Sequence, residues 1–227
     1  MGVVKRGTAL LLFLSLCFSS FPIYALEGIV RSGKETGEKR IALTFDDGPC
    51  EKYDPEILDV LDKYGVSATF FLVGENIERE PLSAKRIADR GHEIGNHTYS
   101  HKRPGKLSAP ELCGEIARTK SLIERVCGCT PLLFRPPEGF VNELVRDVAS
   151  SGGYTLVLWS IDTLDWQGRS AKDIVDTVMK EAKDGAIILC HDYIWKKSET
   201  AKAINEFIPR LQSMGYKFVT VGELLED

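Results

Sequence analysis

The sequence predicts an α/β protein, a closed or nearly closed β/α barrel of about seven parallel strands. Three observations carry this. From residue 39 onward, short β-rich runs alternate with segments of helical spacing. Several of the runs are apolar on both faces, as strands covered by helices must be. Alternation of this kind implies parallel pairing through right-handed crossovers. An open doubly wound sheet is the second choice.

The strand runs fall at 41–45, 68–73, 93–96, 132–135, 155–160, 186–190 and 217–221. Helical spacing fills the gaps. Residues 55–64 carry Ile57, Leu58 and Leu61 on one face, and 82–90 carry Leu82 and Ile87. Residues 109–126 place Leu112, Ile116, Ile123 and Val126 together, and 141–150, 171–182 and 199–214 complete the series. Gly65, Gly91, Gly152 and Gly215 follow helix ends, where C-terminal caps belong.

The first residues do not belong to the barrel. Lys5 and Arg6 precede an apolar run, and Ile23-Tyr24-Ala25 offers a small residue to a signal peptidase. Residues 1–25 therefore read as a secretory signal peptide, with a retained N-terminal anchor as the alternative. Leu16 is bulky where a lipoprotein signal at Cys17 needs a small residue. Residues 26–38 are polar and Gly-containing, a lead-in to a domain over 39–227. No later segment is long and apolar enough to span a bilayer, so the rest reads as soluble.

The chain has 227 residues and a formal net charge of −4, and removal of residues 1–25 leaves 202 residues at −6. An acidic domain without Lys or Arg runs is a poor partner for nucleic acid. Five cysteines remain after cleavage: Cys50, Cys113, Cys127, Cys129 and Cys190. An odd number cannot all pair internally, although Cys113 could bridge to Cys127 or Cys129. Cys127-Gly128-Cys129 has no second pair at zinc spacing. Five thiols would also suit a reducing habitat.

Chemistry gathers where the strands end, the rim that builds active sites in β/α barrels. "TFDDGP" puts Asp46 and Asp47 after the first strand. "HTYSH" puts His97 and His101 after the third, and one helical turn would set both imidazoles on one side. Two His and a carboxylate make a three-ligand metal site with room for water and substrate. "RPPEG" follows the fourth strand; its prolines donate no N–H, so a rigid turn can aim the Glu138 amide at an oxyanion, and Arg135 could hold a catalytic carboxylate ionised. "DTLDW" and "LCHD" follow the next two, with His191 near carboxylates that could keep it protonated as a general acid. Trp166 could wall a sugar ring, whereas Trp159, inside a strand run, reads as core.

These five stretches in this order resemble the polysaccharide deacetylase family, also called carbohydrate esterase family four or the nodulation-protein-B homology domain. The resemblance covers about residues 39–222. It implies a distorted β/α barrel with fewer than eight strands. It implies that Asp47, His97 and His101 bind one divalent metal, zinc first, with cobalt, manganese or nickel as alternatives. Asp46 would be the general base, paired with Arg135. Asp165 would orient His191, with Asp162 the second choice. Trp166 would lie against His191 and the acetyl methyl, Leu189 would line the acetyl pocket, and the Glu138 N–H would meet the oxyanion.

The sequence departs from the family at Glu138, where an aromatic residue is usual, and at Cys50 and Cys190, whose thiolates could capture metal if they reached it. Cys190 is expected to face packing instead, since strand neighbours alternate. The function implied is an exported N-deacetylase of N-acetylglucosamine glycans, peptidoglycan or a chitin-like oligomer, working in the cell envelope without a stable protein partner. Ester deacetylation of acetylated xylan, or glycan binding with weakened turnover, are the alternatives. A ferrous oxygenase has the same ligand types but needs neither the Arg–Asp pair nor a separate His acid.

Overall fold

Strand β1 (Arg40–Asp46) shows how the sequence builds the barrel. Alternate side chains point to opposite faces of a strand. Ile41, Leu43 and Phe45 go outward and pack with Ile57, Leu58, Leu61, Ile204 and Phe207 of the helical layer. Ala42 goes inward and packs with Phe71, Leu133, Val157 and Ile187. Thr44 and Asp46 continue the inward row, so the interior is apolar at its base and polar at its C-terminal rim. Each large apolar side chain so buried contributes ~1.5–3 kcal/mol.

The computed structural model describes residues 28–194 and 198–226; the expected leader at 1–25 lies outside them. After β1 come α1 (Asp54–Tyr64), β2 (Thr69–Leu72), α2 (Gly74–Arg79), α3 (Pro81–Asp89), β3 (Glu93–Asn96) and α4 (Ala109–Cys127). Then follow β4 (Leu133–Phe134), α5 (Glu143–Ser151), β5 (Thr155–Leu156), β6 (Ile161–Asp162) and α6 (Ala171–Glu181). The chain finishes with β7 (Ala186–His191), α7 (Thr200–Ser213), β8 (Lys217–Val219) and α8 (Val221–Leu225). The order β5-β4-β3-β2-β1-β7-β6 is parallel throughout. β8 pairs with the first half of β1, on the edge whose second half pairs with β2.

This is the distorted β/α barrel the sequence predicts, with local differences. The expected strand at 155–160 divides in two. Val157 N–H donates to Phe134 of β4 (2.9 Å) and Ser160 N–H to Ile187 of β7 (3.1 Å), so one bent run joins both ends of the sheet. Closing the ring breaks the strand. The expected strand at 217–221 stops at Val219 because Thr220 caps α8, accepting from Glu223 N–H while the Glu223 side chain accepts from Thr220 N–H. Helix α2 had no signal beyond its shortness. Gly65 caps α1 in the left-handed region, but Gly152 is right-handed and Gly153 takes the left-handed position. The lead-in joins the barrel through hydrogen bonds between Val30 and residues 156 and 158.

All five described cysteines are free, so the Cys113 bridge does not form. Cys190 faces the helical layer, and burial pushes its thiol well above the ordinary value. No described helix is long and apolar enough to cross a membrane.

The turn after β1 rests on two buried carboxyls. Asp54, at the start of α1, accepts from Cys50 N–H (2.8 Å) and Ser83 Oγ (2.6 Å). Asp192 lies so close beneath Gly48 that a Cβ there would collide with its carboxyl. Among the described residues, neither Asp192 oxygen meets a hydrogen-bond donor. Burial raises Asp54 to about 7; burial, and then the Asp54 charge, raise Asp192 well above the carboxylate range. A raised carboxyl stabilises the fold while protonated, fully below its unfolded value of 3.8, and this is lost as pH climbs through about 7. Asp192→Asn should therefore raise the melting temperature at pH 8 by about 2–4 °C, the shift that ~1 kcal/mol makes in a domain of this size. Its advantage should vanish at pH 4; calorimetry at the two pH values checks this.

Candidate active site

Inward positions at the ends of β1, β3, β4 and β7 deliver Asp46, His97, Arg135 and His191 to one rim. Alternation would turn Asp47 away from Asp46. Its backbone instead takes φ +78°, which breaks the alternation and brings the second carboxylate to the same side. Asp47 Oδ1 lies 3.0 Å from His101 Nε2 and 3.4 Å from His97 Nε2. Burial would push the Asp47 carboxyl up, but hydrogen bonds to His101 and His97 hold it well below the usual range. His101 is raised, with Asp47 outweighing burial and the Asp46 and Glu138 charges adding to it.

The two imidazoles do not share a helical turn. Residues 97–101 form an irregular loop with Thr98 and His101 at φ +66° and +53°. Asn96 Oδ1 accepts from Thr98 N–H, and Glu115 of α4 accepts from Tyr99 and Ser100 N–H. These long-range bonds replace the local helical ones and leave the ring centroids 5.1 Å apart. Arg135 O lies 2.6 Å from His97 Nδ1, and a proton on that nitrogen leaves the Nε2 lone pair facing Asp47. One carboxylate oxygen and two imidazole nitrogens, all within 4.8 Å of one another, fit a divalent cation. Neither Cys50 nor Cys190 joins them.

Arg135 is fully buried inside the barrel. Its Nη1 donates to Asp46 Oδ1 (2.7 Å) and Thr44 Oγ1 (2.8 Å), Nη2 to Leu158 O (2.9 Å), and Nε to Val157 O (3.3 Å). The guanidinium lies 4.0 Å from the Phe71 ring centroid. Burial draws its pKa down and the Asp46 charge draws it back. With Oδ1 so engaged, Asp46 turns Oδ2 toward the triad, 3.8 Å from His97 Nε2.

On another side of the rim, Asp165 Oδ1 is 2.7 Å from His191 Nδ1. Asp165 Oδ2 accepts from His191 N–H (2.8 Å) and Thr200 Oγ1 (2.7 Å), which fixes the carboxylate. Burial opposes charge on His191, but the hydrogen bond and charge of Asp165, with Asp47 and Asp46 behind them, raise it to about 9. Asp162 is not the partner: its Oδ1 accepts from Leu164 N–H, closing the turn.

A cleft of about 860 Å³ joins both sides, lined by the triad, Asp46, His191, Leu189 and half-exposed Trp166, with Glu138 at its edge. Glu138 sits at φ +58° in a tight turn where Gly139 and Phe140 N–H are spent on Pro136 and Pro137 carbonyls. Trp159 packs against two of the apolar clusters, as the core reading expects, and its other side lines the cleft. Tyr193, Gln167 and Ile194 line it as well, unsignalled by any motif. Thr44 and Thr200, which hold Arg135 and Asp165, were also missed. The inward parity of Thr44 was the available clue; Thr200 had none.

The sequence profile described as polysaccharide deacetylase matches residues 33–157. A Bacillus cereus peptidoglycan-N-acetylglucosamine deacetylase is 44% identical over 190 residues, 83% of this chain and 89% of the relative. The Bacillus subtilis peptidoglycan-N-acetylmuramic acid deacetylase PdaC is 42% identical over 192 residues, 85% of this chain but 40% of the relative. The crystal structure of the Bc1960 peptidoglycan N-acetylglucosamine deacetylase superposes with a TM-score of 0.85 at 38% identity, covering 87% of this chain and 92% of that one. Profile, identity and superposition agree with the rim chemistry, and the chain belongs to the polysaccharide deacetylase family.

Proposed function

We propose that this chain is an exported, metal-dependent hydrolase that removes N-acetyl groups from N-acetylglucosamine-containing glycans, peptidoglycan first and chitin-like oligomers second. The observation that carries the reading is the pairing of two proton-handling groups across one metal-competent triad: Asp46 backed by Arg135, and His191 backed by Asp165. Export rests on residues 1–25 of the sequence. Zinc is the first choice of metal, with cobalt, manganese or nickel able to serve the same donor set.

Asp47, His97 and His101 would hold a divalent cation, which would supply Lewis acidity toward a carbonyl oxygen and a water. The remaining chemistry belongs to the chain. Asp46 Oδ2 takes the proton of the attacking water, its other oxygen fixed by Arg135. The Glu138 N–H donates to the oxyanion. His191, held by Asp165 and protonated at neutral pH, gives its proton to the leaving amine. Leu189 packs against the acetyl methyl and Trp166 against the sugar ring. Binding without turnover fits poorly, since Asp46 and every triad member are retained.

Three outcomes are expected. The chain supplied with zinc or cobalt should release acetate from N-acetylglucosamine polymers, and Asp46→Asn should lower kcat by ~10²-fold or more while circular dichroism stays unchanged. No acetate with either metal would sink the reading. A chelator should abolish turnover and added zinc restore it; chelator-resistant activity would argue against a metal role. The acid His191 must be protonated, so the rate should fall as pH rises through about 9. Asp165→Asn should move that alkaline limb down toward the ordinary imidazole value of 6.5, and an unmoved limb would remove His191 from the role.

A further inference from the structure

Both loops that carry the triad lean on four consecutive residues outside every motif, 73–76, where β2 gives way to α2. Val73 N–H donates to Gly48 O (2.8 Å), and Asn76 Nδ2 donates to Asp47 O (2.5 Å). Between them, Gly74 N–H donates to Thr98 O (3.0 Å) and Glu75 N–H to Tyr99 O (2.9 Å). The first N–H groups of a helix have no partner within it. Here they are spent on the two loops, one carrying Asp47 and the other His97 and His101. The short helix α2 therefore joins metal-competent loops that lie far apart in sequence.

Asn76 is the side chain in this joint. It is 8% exposed, and its Oδ1 accepts from Arg79 Nη2. A guanidinium only donates and a carbonyl only accepts, so the two partners fix which way the amide faces. The bond matters because Asp47 holds φ +78°, a conformation that persists only where neighbours enforce it. Gly74 permits the close approach to the other loop. A Cβ there would stand 2.5 Å from Tyr99 Cδ2, 2.8 Å from Thr119 Oγ1 and 3.0 Å from Tyr99 Cα.

We propose that residues 73–76 are a clamp that sets how tightly the triad holds its cation. Asn76 is a positioning residue acting through Asp47, and Gly74 acts through the loop of His97 and His101. This rests on the metal-dependent reading above. Ligands whose spacing is set beforehand bind more tightly, because binding then does not have to order a loose loop. Partners that orient ligands from behind are worth ~10–100-fold in metal affinity.

The experiment measures the zinc affinity of the full chain by competition with a chromophoric chelator, a readout that needs no turnover. Asn76→Ala and Gly74→Ala should each weaken zinc binding by ~10-fold or more while circular dichroism keeps the signature of the fold. Ile208→Val, which trims the buried core on α7, should lower the melting temperature and leave zinc affinity unchanged. Zinc held equally well by both clamp variants overturns the proposal. So does a loss that Ile208→Val reproduces, since general destabilisation would then be its cause. An unaltered chain that binds no zinc removes the metal reading and the clamp together, a different result from zinc bound alike by every variant.

Discussion

One buried cation organises this barrel. Arg135 occupies an interior that would otherwise be left to apolar side chains, and among the described residues its one carboxylate partner is Asp46. A guanidinium taken from water costs several kcal/mol unless its donors are satisfied. Here they reach a carboxylate, a threonine and two carbonyls of the bent run that closes the sheet. Closure, core and the rim carboxylate of Asp46 are thus tied to one side chain. Losing either partner would strand a charge, whereas a pair of apolar residues of similar volume would pack without that cost but would remove the rim carboxylate itself.

Backbone strain is concentrated where the chemistry is. Of six described non-glycine residues with positive φ, five belong to loops around the cleft: Asp47, Thr98, His101, Glu138 and Leu164. Each such conformation costs ~1–3 kcal/mol and persists only where neighbours over-determine it. The neighbours are visible. Asn96 and Glu115 fix the loop of Thr98 and His101, Asp162 fixes Leu164, and Asn76 Nδ2 donates to Asp47 O (2.5 Å). The regular barrel carries the burial energy, and its rim loops spend some of it on geometry.

The two charged pairs at the rim, Asp46–Arg135 and His191–Asp165, differ by environment. Asp46 faces a fully buried guanidinium, while His191 leans on a carboxylate clamped by Thr200 and two backbone amides. One arrangement favours an anion beside the triad and the other a cation across from it. Opposite biases on two sides of a cleft suit a reaction that takes a proton at one point and returns it at another.

By itself the sequence determined what repeats or is local. Period-two alternation placed Asp46, His97, Arg135 and His191 on inward rows, and the βα alternation fixed parallel strands with loops at one rim. The motif residues were therefore legible as a set. Tertiary structure decided what depends on partners distant in the chain. It chose Asp165 over Asp162, because Thr200 and the His191 amide bind its carboxylate. It joined His97 to His101 through a loop anchored on α4, not through a helical turn. It bent residues 155–162 to close the ring, and it set one side of Trp159 against the cleft. A one-dimensional pattern encodes which way a side chain faces, but a hydrogen bond across the barrel selects among conformations that the pattern leaves equal.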